Sequence, residues 1–426
     1  MHRKDARRVA IIGGARIPFS RAYGRYADRT NQQMLTAALK ALVDRYDLAG
    51  KRLGDVAAGA ILKYPADWNL AREAVLGSGL ARETPAFDLQ RACGTSLEAA
   101  ILIGSKIALG QIDCGIAGGV DTISDAPVVY PREYQRILVE SSKGRSLGER
   151  LKPWLRLRPR HFKPVLPAVV EPRTGLDMGR STELMAKHWQ IAREDQDRLA
   201  LESHQKAAAA WDEGFFDDLV VEFNGLKSDD NIRRDTSMEK LAKLKPVYDR
   251  SAAGTLTAGN STPLTDGAAA VLLASEDWAR ERGLPVQAWL THGKVAAVDY
   301  IDGEGLLMAP AYAVSRMLED VNLTLQDFDL YEIHEAFAAQ VLCTLKAWKS
   351  PEYCRERLGR SEPLGSIDPS KFNIKGGSIA LGHPFAATGA RIVATLAKLL
   401  TQQGSGRGLI SVCTAGGMGV TAILER

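Results

Sequence analysis

A chain of 426 residues exceeds what one hydrophobic core usually serves, so two or three domains are expected. With 45% apolar and 25% charged residues it reads as an ordinary globular protein, and a net charge of +4 without a long Lys/Arg run excludes nucleic acid as the expected partner. No apolar run approaches the ~20 residues of a membrane span.

The N-terminus, MHRKDARRVAIIGGA, has a basic head, but Gly13 and Gly14 break its apolar run too soon for a signal peptide, and a cytoplasmic protein is expected. A disordered lead-in precedes a first strand placed at Val9 to Ile12. The following GGARIP lacks the third glycine of a dinucleotide fingerprint, so no phosphate-cradling loop is expected there. Leu35, Leu39, Leu42 and Tyr46 recur at helical spacing, Val56 to Leu62 reads as a strand, and Asn69 to Leu80 as a helix ending at glycines. Such alternation predicts an α/β layer.

From Phe87 the chain reads FDLQRACGTSLEAAILIGSKIALGQIDCGIAGGVDTIS: a buried segment running into Cys93, a helix starting at Thr95 or Ser96, a Gly turn, and an apolar segment ending in Ala117-Gly118-Gly119. Cys93 therefore sits where a strand hands over to a helix, and the N–H groups and dipole of a helix start favour a thiolate. The pattern returns from Phe372, with His383 in roughly the place of Cys93 and Ala415-Gly416-Gly417 closing the unit. Any two βαβ units share part of this likeness, but the common order of elements favours an internally duplicated fold whose reactive groups meet between the halves.

Between about Asp125 and Asp249 the alternation breaks down, charges cluster, and helices such as Arg193 to Asp212 read amphipathic. The expected organisation is an N-terminal half (1–124), an inserted loop domain (125–249), a return to the first half (250–284) and a C-terminal half (285–426). Residues 145–164, RSLGERLKPWLRLRPRHFKP, interleave basic residues with Trp154, Leu155 and Phe162. A solvated loop is the ordinary reading; a membrane surface, a nucleotide's phosphates or a partner subunit are the alternatives. In GTLTAGNSTPLTDGAAA from Gly254, small residues let a ligand lie against backbone. A helix at Ala311 to Leu318 and a strand at Leu330 to Ile333 then lead to His334, a third reactive side chain at a strand-to-helix corner.

Three such corners suggest one shared site at strand ends. The five cysteines follow neither CxxC nor any other ligand spacing, so neither a metal site nor a disulfide framework is expected. Cys114, Cys343 and Cys354 read as small buried hydrophobes, whereas Cys93 and Cys413 adjoin turn-forming residues that open onto a cleft. A sulfur nucleophile needs a base, which histidine supplies, and attack on a thioester develops an oxyanion that backbone N–H groups near Gly416 and Gly417 would stabilise. Cys413 would serve as a second acid/base. That set fits acyl transfer with carbon–carbon bond making or breaking, and fits hydrolysis poorly.

Taken together, ACGTS at Cys93, HEAF at His334, GHPFAATGAR at His383 and CTAGGMG at Cys413 resemble the thiolases, which cleave 3-ketoacyl-CoA or condense acetyl-CoA. The likeness covers nearly the whole chain, including RIPF, MGRSTE at Met178, REDQDRLALESHQKAAAA and TAGNSTPLTDGAAA. His334 and Ala415 depart from the commoner Asn and Gly. HEAF with GSIALGHPFAATGAR resembles the thiolase subunit of the fatty-acid β-oxidation trifunctional complex and its bacterial counterpart.

The resemblance implies a duplicated αβαβα five-layer fold with an inserted loop domain, in a homodimer or homotetramer, with an α subunit carrying hydratase and dehydrogenase activities as a further candidate partner. It implies acylation of Cys93, proton removal by His383, proton transfer at the acetyl-CoA enolate by Cys413, and direct binding of the thioester oxygen by His334 with His383. Backbone N–H groups of Cys93 and Ala415 would form the other oxyanion pocket. Met178, Ala258, Gly259, Thr262 and Phe337 would line the CoA and acyl-CoA site, CoA being a substrate and no cofactor or metal being required. A biosynthetic acetyl-CoA acetyltransferase is the second enzyme reading. A CoA-binding scaffold subunit is the non-enzyme one, disfavoured because a binding role needs none of Cys93, His383 and Cys413.

Overall fold

The computed structural model describes residues 6–165, 167 and 170–426, so the start of the expected N-terminal lead-in, residues 1–5, lies outside the described residues. Among the described residues there are ten strands: β1 (Val9–Arg16), β2 (Ser20–Arg21), β3 (Asp55–Ala58), β4 (Ala86–Asp88), β5 (Cys114–Asp121), β6 (Thr265–Ser275), β7 (Ala288–Ala297), β8 (Leu330–Ile333), β9 (Arg407–Thr414) and β10 (Met418–Glu425). They form one sheet in the order β4-β3-β5-β6-β1-β7-β10-β9-β8, with β2 paired to β6. β5 and β6 are buried along their whole length, which is why CGIAGGVD and TDGAAAVLLAS read as continuous runs of small and apolar residues rather than as alternating ones.

Read outward from its middle, the sheet repeats itself. β1-β6-β5 and β7-β10-β9 are both antiparallel, and β3 and β8 then add in parallel. Outside β3 lies β4; outside β8 a single parallel bridge from Tyr331 to Phe372 holds the same place. Within the sheet, among the described residues, the halves join through two residue pairs, Ala10 with Trp289 and Ile11 with Ala288.

The helix Asn31–Arg45 begins at a capping box of Thr30 with Gln33 and buries Met34, Leu35, Ala38, Leu39 and Leu42 on the outer face of the first half. Ala309–Val321 and Ala338–Lys349 cover the outer face of the second half. Between the halves, Thr95–Ala108 and Thr388–Gln403 share one core drawn from both. A Cβ on Gly389 would fall 2.3 Å from the backbone nitrogen of Leu97, so the two central helices touch backbone to backbone and only glycine fits. The two halves of the sheet therefore pack on either side of these central helices, and the layers run helix, half-sheet, helix, half-sheet, helix.

Several elements differ from the sequence-based expectation. β1 runs on through Gly13 and Gly14 to Arg16 because β6 supplies an apolar partner throughout. The strand expected over Val56 to Leu62 stops at Ala58, where the chain turns so that Ile61 and Leu62 donate to the Asp121 carboxylate at 2.8 and 2.9 Å. The helix after His334 opens at Ala338, not at HEAF. Within 125–249, Arg193–Asp212 buries Ala207 and Ala210 in the central core, whereas Arg132–Lys143 buries only Ile137.

Candidate active site

Beyond β4 the chain reaches Ala92 at φ +43°, a left-handed conformation that costs an L-residue about 1–3 kcal/mol. The turn is held by Gly94 and Thr95 N–H groups donating to the carbonyls of Arg91 and Ala92. Thr95 Oγ1 accepts from Arg91 N at 2.9 Å and donates to Ala92 O at 2.7 Å. Thr95 is thus the first helical residue, Gly94 is the cap, and Cys93 projects half-buried beside the helix start.

From the other half, His383 is fixed by Nδ1 at 2.6 Å from Thr388 Oγ1, whose own proton goes to Pro384 O at 3.3 Å. Thr388 therefore accepts Nδ1–H, which leaves Nε2 of His383 bare and basic. His334, just past β8, has Nδ1 at 2.8 Å from Ser378 Oγ, and its ring lies 4.1 Å from that of His383. Both Nε2 atoms are buried and have no protein partner. Cys93 Sγ and one ring nitrogen of each histidine lie within 4.8 Å of one another.

A cavity of about 310 Å³ brings Cys93, His383, Cys413 and Ala415 together, with Met178, Thr262 and Phe337 in its wall. His334 does not line it; its ring packs 4.1 Å from that of His383, which does. The backbone amide of Ala415 favours the thiolate of Cys93 and that of Ala336 the thiolate of Cys413. Ala258 and Gly259 do not line this cavity. They face a separate one of about 100 Å³ with Arg21, Arg233 and Ser261, and Pro263 is common to both. The reason is packing: a Cβ at Gly259 would meet Leu241 and Leu244, so this turn is pressed against the short helix Met238–Ala242.

Burial sets the ionisation of the group. It pushes the Cys93 thiol up to about 12 despite the Ala415 N–H, raises Cys413 well above its ordinary value, lowers His383 to about 3 and holds His334 well below its usual range. The expectation of a resting thiolate at Cys93 is therefore corrected: desolvation outweighs the helix start, and the resting set is neutral thiol and neutral imidazole.

Sequence reasoning did not find Glu171. Its Oε1 accepts from Gly416 N at 2.6 Å and its Oε2 from Tyr300 O–H at 3.1 Å, pinning the loop that carries Ala415. Only a lone acid in LPAVVEP signalled it, and its partners lie 245 and 129 positions away. Arg391 and Ser378, behind His334, were quoted within motifs without a role.

Residues 9–277 match the thiolase N-terminal domain family and 284–426 the thiolase C-terminal domain family. The 3-ketoacyl-CoA thiolases of Yersinia pestis (strain Pestoides F) and Yersinia pseudotuberculosis (serotype O:3, strain YPIII) are each 42% identical over 424 residues, 98% of this chain and 97% of the relative. The crystal structure of the Bacillus anthracis acetyl-CoA acetyltransferase superposes with a TM-score of 0.82 at 30% identity, covering 99% of both chains. With both family domains matched end to end and this constellation between them, the chain belongs to the thiolase family of acyltransferase enzymes.

Proposed function

We propose that the chain is a 3-ketoacyl-CoA thiolase working in the degradative direction, in fatty-acid β-oxidation. Cys93 Sγ attacks the 3-keto carbon while its proton passes to the bare Nε2 of His383. The backbone N–H groups of Cys93 and Ala415 hold the oxygen that becomes anionic. The C2–C3 bond then breaks, the departing acetyl-CoA enolate is held at its thioester oxygen by His334 and His383, and Cys413 delivers the proton that completes acetyl-CoA. CoA next attacks the acyl group on Cys93, its thiol proton passing to the Cys413 thiolate; the C–S bond to Cys93 breaks, Cys93 recovers its proton from His383, and the shortened acyl-CoA leaves. CoA is a substrate throughout, and no step assigned here calls on a cofactor. The observation that carries this reading is the pair of unpartnered, buried Nε2 atoms in the same site as two cysteines and the Ala415 N–H. Met178, Thr262 and Phe337 take the pantetheine and acyl chain; Ala258 and Gly259 back the smaller cavity, where Arg21 and Arg233 offer charge to the phosphate end of CoA.

Thiolysis rates across C4 to C16 3-ketoacyl-CoA test it. Turnover of the longer substrates is expected; activity confined to acetoacetyl-CoA would shift the reading to a biosynthetic acetyl-CoA acetyltransferase, the name of the Bacillus anthracis neighbour.

The reading extends to organisation and partners. Residues 1–124 with 250–284, and 285–426, are taken as the two halves, with 125–249 as the insert. β4, unpaired on its outer edge just before the Cys93 turn, is the proposed seam of a homodimer, with a homotetramer as the larger alternative; light scattering after gel filtration decides. No described helix is long and apolar enough to cross a membrane, and a cytoplasmic enzyme is proposed. In 145–164, Trp154 is tied to Ser141 at 2.8 Å, but Leu147, Leu155 and Phe162 stand exposed among Arg145, Arg158 and Lys163. That mixture favours an anionic lipid surface. Sedimentation with phosphatidylglycerol vesicles but not with phosphatidylcholine alone is the expected result, and failure with both would exclude it. Co-purification with a hydratase/dehydrogenase subunit tests the remaining partner.

A further inference from the structure

Arg391 is a buried cation that the chemistry above does not use. Its side chain is 1% exposed, its nearest carboxylate, Glu332, is 3.7 Å away, and its Nε and Nη1 have no hydrogen-bond partner. Its one side-chain hydrogen bond runs from Nη2 to Ser378 Oγ at 2.8 Å, and the other contact of that hydroxyl is His334 Nδ1, also at 2.8 Å. A guanidinium only donates. Ser378 Oγ therefore spends one lone pair on Arg391; were its second to accept Nδ1–H as well, its own proton would find no acceptor among its hydrogen-bond contacts, whereas donating that proton to Nδ1 satisfies both groups. With Nδ1 accepting, the proton of neutral His334 sits on Nε2, which is buried and has no partner, in a ring that brings a nitrogen within 4.8 Å of Cys93 Sγ.

Resting on the thiolase reading, we propose that Ser378, backed by Arg391, is a positioning residue that locks His334 as an Nε2–H donor for the thioester oxygen. The two histidines, 4.1 Å apart and alike in sequence terms, are thereby set to opposite tasks. Thr388 takes the Nδ1 proton of His383 and leaves a base; Ser378 gives a proton to Nδ1 of His334 and leaves a donor. The chain Arg391–Ser378–His334 is polarised in one direction, so the guanidinium strengthens the Nε2–H as negative charge develops on the substrate, without entering the cavity. The same residue also anchors the cavity wall, since Thr262 Oγ1 donates to the Ser378 carbonyl at 2.8 Å.

Two measurements on the full-length enzyme test this. In ¹⁵N-histidine-labelled protein, with His334 assigned by its loss in His334→Asn, Nδ1 is expected to resonate as an unprotonated and Nε2 as a protonated nitrogen. The reverse pattern in the parent overturns the proposal whatever the activity, so this arm is separate from the thiolase reading. In Ser378→Ala, kcat for thiolysis is expected to fall about 10- to 100-fold, short of the ~10²–10³ for losing a donor outright, with KM changed less than threefold (roughly) because ground-state binding is untouched. Adding Ser378→Ala to His334→Asn should cost nothing further. A Ser378→Ala enzyme with parental kcat, or full additivity in the double variant, would overturn it. If Ser378→Ala does not fold, the tautomer of the parent still decides.

Discussion

Removing the carboxylate of Glu171 perturbs the reaction from outside the reacting atoms. The group is 7% exposed and bridges Gly416 N at 2.6 Å and Tyr300 O–H at 3.1 Å, while Gly417, at φ +67°, is packed against the Tyr300 ring. Only the 2.6 Å bond acts on the loop whose Ala415 N–H faces Cys93. A hydrogen bond to a charged group contributes about 1.5–3 kcal/mol, and if the loop must be re-ordered in each transition state, that becomes about 10- to 100-fold in rate at 1.36 kcal/mol per tenfold. Glu171→Ala should therefore lower kcat/KM by that amount, whereas Glu171→Gln, which keeps an uncharged acceptor, should lose only about fivefold, on the rule that charge roughly doubles such a bond. The assay is steady-state thiolysis, with the rate of Cys93 acylation followed in single turnover. Parental kcat/KM in Glu171→Ala, or a loss seen only in deacylation, would refute the positioning of Ala415 by Glu171.

Because burial lowers His383 to about 3 and His334 well below its ordinary 6.5, both stay neutral through mildly acidic pH, and kcat/KM should show no descending limb centred near 6.5; such a limb, traced to either residue by His334→Asn or His383→Asn, would contradict the neutral pair. Stability carries the same sign for the imidazoles alone: His204, lowered to about 4, and His383 take up protons more readily unfolded than folded, whereas Asp121, raised to about 7, and Glu332, raised to about 8, act in the opposite sense. The histidine contribution is therefore read as a difference: between pH 6.5 and about 4 the chemical-denaturation midpoint of the parent should lose ground relative to that of His204→Gln, and identical pH dependence of the two would count against a buried neutral imidazole at 204. Gly389→Ala places a methyl 2.3 Å from a backbone nitrogen that cannot swing aside, and should destabilise by roughly 1–3 kcal/mol or more, read as a lower thermal midpoint; a parental midpoint would show that the central helices can part.

What was legible in the sequence was what is local. Arg193–Asp212 and Leu330–Ile333 fall where periodicity and bounding residues put them, and the likeness of the Cys93 and His383 units reappears as the mirrored strand order. What was not legible depends on partners far along the chain. β3 ends early because Asp121 takes the N–H groups of Ile61 and Leu62, and Glu171 reaches a loop 245 positions on. Ionisation was misjudged for the same reason. A helix start beside Cys93 can be read from ACGTS, but the desolvation that opposes it comes from both halves closing around the sulfur. Ala258 and Gly259 sit one turn away from the wall that Thr262 lines, a difference set by Leu241 and Leu244 rather than by spacing.

The central claim is that Cys93 carries the acyl group while Cys413 moves the proton, and the Cys413→Ala enzyme separates the two. Incubated with acetyl-CoA and digested, it should yield the peptide containing Cys93 with one acetyl group in thioester linkage, labile to hydroxylamine, while failing to cleave 3-ketoacyl-CoA. Acetyl on another residue, no acetyl at all, or undiminished cleavage would contradict the account.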